Sequence, residues 1–150
     1  SKLVREEERE RLYALITERC VAHGIGIVEP DEIDRTNILV AALKAMKIAV
    51  EALETTPDLV LVDGNRLPDI DLPAEAITGG DRKSFVIAAA SILAKVTRDR
   101  IMREYAGTHE GYGFRQNKGY GTRQHVEALR KQGLTELHRK SFRIHADLER

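Results

Sequence analysis

The sequence predicts an α/β fold in one domain, built on a buried parallel sheet. Three observations carry this. The run Leu59-Val60-Leu61-Val62 is apolar on both faces and stops at Asp63-Gly64. Such a run, bounded by turn residues, reads as a strand covered on both sides. It is preceded by a helical apolar stripe and followed by a long alanine-rich helical pattern. Strands alternating with helices of this length give a sheet with helical layers.

Taken in order, residues 4–21 are highly charged, with Leu12, Leu15, Ile16 and Cys20 at helical spacing, an amphipathic helix. Gly24–Val28 is a short strand candidate stopped by Glu29-Pro30, and residues 31–36 are turn-like. Thr36 is placed to cap a helix whose stripe runs through Leu39, Ala42, Leu43, Met46, Ala49, Val50 and Leu53. Pro57-Asp58 ends it, the Leu59–Val62 strand follows, and Ala74–Thr78 is its predicted neighbour. Residues 84–104 form a helix in which Ile87, Ala90, Ser91, Ala94 and Ile101 face the sheet. Residues 105–121 are a loop rich in glycine and tyrosine. A short helix then runs from a Thr122 cap to Gln132 and ends at Gly133. Three short strands are few for helices of this length, so the sheet reads as incomplete.

Length and composition exclude several classes. The 150 residues, 42% hydrophobic and 32% charged, contain no run of the roughly 20 apolar residues a membrane helix needs. Ser1–Glu8 has no apolar segment of a secretory signal. The single cysteine, Cys20, allows neither an internal disulfide nor a cysteine metal cage, and suits the cytoplasm. The formal net charge of zero conceals a division: residues 1–94 carry 11 Lys+Arg against 17 Asp+Glu, residues 95–143 carry 12 against 5. A basic C-terminal half suits a polyanion; the alternative is ordinary solvated helix faces.

The candidate chemistry sits at the strand ends. Asp63 closes a buried strand, and Asp81 follows Gly79-Gly80 three residues before a helix. In open α/β sheets, ligands collect beyond the carboxyl ends of strands. Two carboxylates there can hold a hard divalent cation against a phosphate. The alternatives are a turn-forming aspartate at Asp63 and a helix-dipole partner at Asp81. The segment Gly111–Thr122 interleaves glycines, aromatics and cations: Arg115 and Lys118 can neutralise phosphate, and Tyr120 can stack on a sugar or base. Asp99, between Arg98 and Arg100, reads as a surface ion-pair residue. His138 beside Arg139 can touch phosphate or serve structure.

With these residues in view, the chain resembles bacterial ribonuclease HII, the type 2 ribonuclease H. The resemblance rests on Ser1-Lys2-Leu3, Glu32-Ile33-Asp34 with Asn37-Ile38-Leu39, Val62-Asp63-Gly64, Gly80-Asp81-x-Lys83-Ser84, Ala88–Arg100, Lys118-Gly119-Tyr120-Gly121-Thr122, and His138-Arg139-x-Ser141-Phe142. It implies a ribonuclease H-like three-layer fold and an endonuclease acting on RNA paired with DNA. It implies cutting 5′ of single ribonucleotides in duplex DNA by two-metal-ion catalysis with Mn²⁺ or Mg²⁺, in replication and repair. By motif, Asp63 and Asp81 are the third and fourth acidic metal ligands. Tyr120 packs on the deoxyribose after the ribonucleotide, Lys2 lies near substrate phosphate, and Lys118 and Arg139 join it in contacting nucleic acid.

The Asp-Glu-Ala-Gly-Arg-Gly strand with which family members begin is not found in this sequence. The expectation is therefore an N-terminally truncated member lacking the first strands, inactive or nearly so alone. The alternative is a non-catalytic nucleic-acid-binding remnant. The full-length form is expected to be a monomer.

Overall fold

The computed structural model describes residues 3–141, so Lys2 and Phe142 lie outside the described residues. Six helices and two strands follow one another as α1 (Glu6–Arg19), α2 (Pro30–Arg35), α3 (Ile38–Glu51), β1 (Val60–Asp63), β2 (Ala74–Ile77), α4 (Phe85–Thr108), α5 (Phe114–Asn117) and α6 (Arg123–Gln132), with a 3-10 turn at Gly80–Arg82. The described residues divide between two compact units: 3–28 with 36–96, and 29–35 with 97–141.

In the first unit, β1 and β2 pair in parallel, with Val60 opposite Ala74 and Asp63 opposite Ile77. The class and the parallel pairing agree with the sequence. The sheet has these two strands among the described residues. Gly24–Val28 is not a strand. Its glycines serve a different purpose: a Cβ on Gly24 would collide with the Ala49 carbonyl, and one on Gly26 with the Ala45 carbonyl. The segment lies on the backbone of α3, whose carbonyls are taken up within the helix and offer no ladder.

Helix α3 is capped by Asn37, not Thr36: the Leu39 and Val40 amides donate to Asn37 Oδ1 at 2.9 and 3.0 Å. Such a cap stabilises by about 1 kcal/mol. Most of residues 31–36, predicted as turn-like, lie in α2, with Asp31 and Glu32 in its first turn and Arg35 in its last. That charge order complements the helix dipole.

Helix α4 presents a different face from the predicted one. Ile87, Ile92, Leu93, Val96 and Asp99 are buried, whereas Ala90 and Ala94 are exposed. Alanines occupy several faces of this helix, so small size alone does not mark the packed side. The larger aliphatics do, because burying them removes more apolar surface from water.

In the second unit, a core of Tyr112, Phe114 and Ala128 packs with Met102, Tyr105, Ala106, Leu129 and Leu137. The predicted loop 105–121 contains the last turn of α4 and all of α5. Helix α6 matches its predicted ends. The His125 amide donates to Thr122 Oγ1 at 3.3 Å, and Gly133 closes the helix at φ 82°. Asp34 on α2 accepts from the Lys140 and Ser141 amides at 2.7 and 2.9 Å, and also from the Ser141 hydroxyl. These bonds hold the Asp34 carboxyl below the usual carboxylate range, the Ser141 hydroxyl foremost.

Candidate functional site

Asp63 is the last residue of β1 and is exposed, while the preceding Val62 is buried. The strand thus carries the carboxylate from an apolar interior to an open edge. Gly64 follows with φ 131°, a conformation that favours glycine, and its amide donates to the Ile77 carbonyl at 3.1 Å. The ends of the two strands are therefore tied together where the chain leaves the sheet.

The tie continues through the side chain. Asp63 Oδ1 accepts the Gly80 amide at 2.8 Å. Gly80 is buried and opens the turn that contains Asp81. The site has no room for a larger residue, since a Cβ on Gly80 would lie 2.5 Å from Ile87 Cδ1 and 3.5 Å from Asp63 Cα. Asp63 thereby fixes the peptide next to Asp81, and both acids leave the carboxyl ends of neighbouring parallel strands. One Asp63 oxygen is engaged in this bond. The other takes no hydrogen bond among the described residues.

Carboxylate oxygens at an exposed edge suit a hard cation such as Mg²⁺ or Mn²⁺. Among the described residues no group of three or more His, Cys, Asp or Glu is placed to hold a metal.

The second unit holds the other candidates. Tyr120 is 51% exposed, and the Arg98 guanidinium lies 4.7 Å from its ring centroid. That cation–π contact covers part of the ring and brings a positive charge beside it. Lys118 is buried. Its ammonium donates to the Arg115 carbonyl at 2.7 Å, so it braces the loop. Among the described residues it is the one non-glycine with positive φ, 50°. A side chain in that region costs about 1–2 kcal/mol. Arg139 is half-buried and Arg115 exposed.

One sequence reading changes, and one open alternative is decided. Asp99 is 2% exposed and is not a surface residue. It follows Ile92 and Val96 at helical spacing, which puts it on the buried face of α4. His138 is structural: its Nδ1 accepts the Thr135 amide at 3.0 Å, and its ring lies 5.1 Å from Tyr112 and 5.3 Å from His125. Burial, followed by the charge of His125, pushes His138 below the ordinary histidine range. Burial does the same to His125, opposed by its hydrogen bond with the Tyr112 backbone. Sequence spacing gave no signal for this pair, because the two histidines meet only through α6 and the turn after it.

Comparison with known proteins places the chain. A family model described as Ribonuclease HII matches residues 1–145. The chain belongs to the ribonuclease HII family. It is 51% identical over 142 residues to a ribonuclease HII of Clostridioides difficile, covering 95% of this chain and 56% of that relative. It is 53% identical over 142 residues to one from Bacillus velezensis, covering 95% and 55%. The chain thus spans a little over half the length of these relatives. Its fold resembles the crystal structure of the ribonuclease H2 from Pyrococcus horikoshii OT3, with TM-score 0.76 and 24% identity, over 99% of this chain and 78% of the other. No described helix is long and apolar enough to cross a membrane.

Proposed function

We propose that this chain carries half of the acidic centre of a cytoplasmic endonuclease. That enzyme hydrolyses the RNA strand of RNA–DNA hybrids and cuts 5′ of single ribonucleotides in duplex DNA, in ribonucleotide removal during replication and repair. The observation that supports it most is the bond from the Gly80 amide to Asp63. It makes one carboxylate the anchor of the turn bearing the other.

Asp63 and Asp81 are the residues that would hold Mn²⁺ or Mg²⁺. A divalent cation there supplies positive charge against the phosphodiester and acidifies a bound water. The chain's own residues do the positioning. β1 delivers Asp63 in a fixed direction, and Gly80 keeps Asp81 beside the sheet end. In the second unit, Tyr120 offers a partly open ring to a sugar, with Arg98 contributing charge. Arg139 adds to the basic surface. Lys118 supports the loop from within. Lys2 remains an expected phosphate contact outside the described residues.

The test is Mn²⁺- or Mg²⁺-dependent cleavage of a DNA duplex containing one ribonucleotide. The chain is assayed as it stands and joined to the family's Asp-Glu-Ala-Gly-Arg-Gly segment. Cleavage 5′ of the ribonucleotide is expected in the joined form and not in the chain alone. Asp63→Asn should abolish it, because a ligand charge is removed. Cleavage that survives Asp63→Asn refutes the assignment. Duplex binding without cutting in either form favours a purely binding role.

A further inference from the structure

Asn117 ends α5 and is 5% exposed. Its side-chain amide is used in both directions. Nδ2 donates to the Tyr112 carbonyl at 2.7 Å, and Oδ1 accepts the Gly119 amide at 2.8 Å. Its own backbone carbonyl accepts the Tyr120 amide at 2.9 Å. Between these bonds the chain turns through two residues of positive φ, Lys118 at 50° and Gly119 at 75°. Gly119 adopts this region freely; the strain lies at Lys118, and strain of that kind persists only where surrounding contacts over-determine it, gathering at functional positions.

At its other end the linkage is anchored in the core. Tyr112 stacks on Phe114 with centroids 5.5 Å apart and an interplanar angle of 13°. Its hydroxyl donates to the Gly133 carbonyl at 3.0 Å. A continuous series of contacts therefore runs from the core, through the Tyr112 carbonyl and the Asn117 amide, to the backbone of Gly119 and Tyr120.

We propose that Asn117 is a positioning residue for Tyr120: it holds the turn that sets the tyrosine ring against a nucleic-acid sugar. The side-chain chemistry is specific. Aspartate accepts from Gly119 but, ionised, cannot donate to the Tyr112 carbonyl. Leucine fills the space and leaves buried polar groups without partners. The inference rests on the reading that Tyr120 meets nucleic acid, and the test separates the two.

The experiment is a double-mutant cycle on this chain. Binding of a fluorescent DNA duplex with one ribonucleotide is measured by anisotropy for the parent, Asn117→Ala, Tyr120→Ala and the double variant. Asn117→Ala is expected to weaken binding roughly fivefold in the parent and by less than about twofold when Tyr120 is already alanine. Asn117→Asp should fall between parent and Asn117→Ala, because it keeps one of the two side-chain bonds. Amide exchange at Gly119 and Tyr120 should accelerate in Asn117→Ala while the α6 amides stay protected. That reading also identifies a variant that has simply unfolded. Equal losses in the two backgrounds, or unchanged exchange at Gly119 and Tyr120, overturn the positioning role. Unchanged binding in Tyr120→Ala, or no binding by the parent, overturns the nucleic-acid reading beneath it.

Discussion

Replacing Asp63 in two ways separates its two tasks. Asp63→Asn keeps an oxygen where Oδ1 accepts the Gly80 amide at 2.8 Å, and removes the charge. Asp63→Ala removes the acceptor as well, leaving an N–H in a buried glycine without its partner. A hydrogen bond to an ionised acceptor is roughly twice as strong as a neutral one. The asparagine should therefore cost on the order of 1 kcal/mol. An orphaned buried donor costs about 1–3 kcal/mol, so the alanine variant should be less stable than the asparagine variant by about that amount. Mn²⁺ affinity should fall in both to a similar extent, since both lose the ligand charge. Urea unfolding followed by circular dichroism measures the first quantity and titration calorimetry with Mn²⁺ the second. Equal stability of the two variants would show that the Gly80 bond does not hold the turn. Full Mn²⁺ affinity in Asp63→Asn would remove the carboxylate from the metal site.

Two further outcomes follow from packing and charge. Gly26→Ala should destabilise by about 1–3 kcal/mol, because its Cβ meets the Ala45 carbonyl of α3, whereas Gly107→Ala within α4, with nothing within 4 Å, should stabilise by up to about 1 kcal/mol. Thermal melts of both variants decide this; a neutral Gly26→Ala would refute the close approach. His125 and His138 both titrate below the ordinary histidine value, so the unfolded chain takes up protons first. Their contribution to stability is complete above the unfolded value of about 6.5 and is lost as pH falls from there through the depressed folded values. Urea midpoints at pH 7.5 and 5.5 should differ, and His138→Phe should reduce the difference; an unchanged difference would contradict the buried pair.

The parts of the fold that could be read from sequence are those with one strong local cause. Three of the four residues of the apolar run Leu59–Val62 lie in β1, with Leu59 exposed outside it, and α6 carries its own start and stop in Thr122 and Gly133. The misreadings share a different origin. Gly24–Val28 has strand-like composition, but strands form by pairing, and here the backbone meets helix α3 instead. Thr36 and Asn37 are both competent caps, and choosing between neighbours needs the backbone geometry. Alanines spread around α4 hide its buried face, which also misplaced Asp99. The segment 105–121 looked like a loop because its glycines dominate, yet Phe114 and Tyr112 make it part of a core.

At Asp63 the two alternatives posed by the sequence do not exclude each other. At the level of sequence, Asp63 is either a turn-forming aspartate or a metal ligand. In the structure one oxygen does the turn-former's work, holding the Gly80 peptide, and the other takes no hydrogen bond among the described residues. The two roles reinforce each other. The turn that Asp63 holds is the one that carries Asp81, so the same carboxylate that would bind a cation also limits how far its neighbour can wander. A ligand pair built this way would lose little entropy on binding, which is the advantage of a preorganised site. Lys118 teaches the same lesson in reverse. It reads as a phosphate-binding cation, and its ammonium turns inward to the Arg115 carbonyl, bracing the turn that leads to Tyr120.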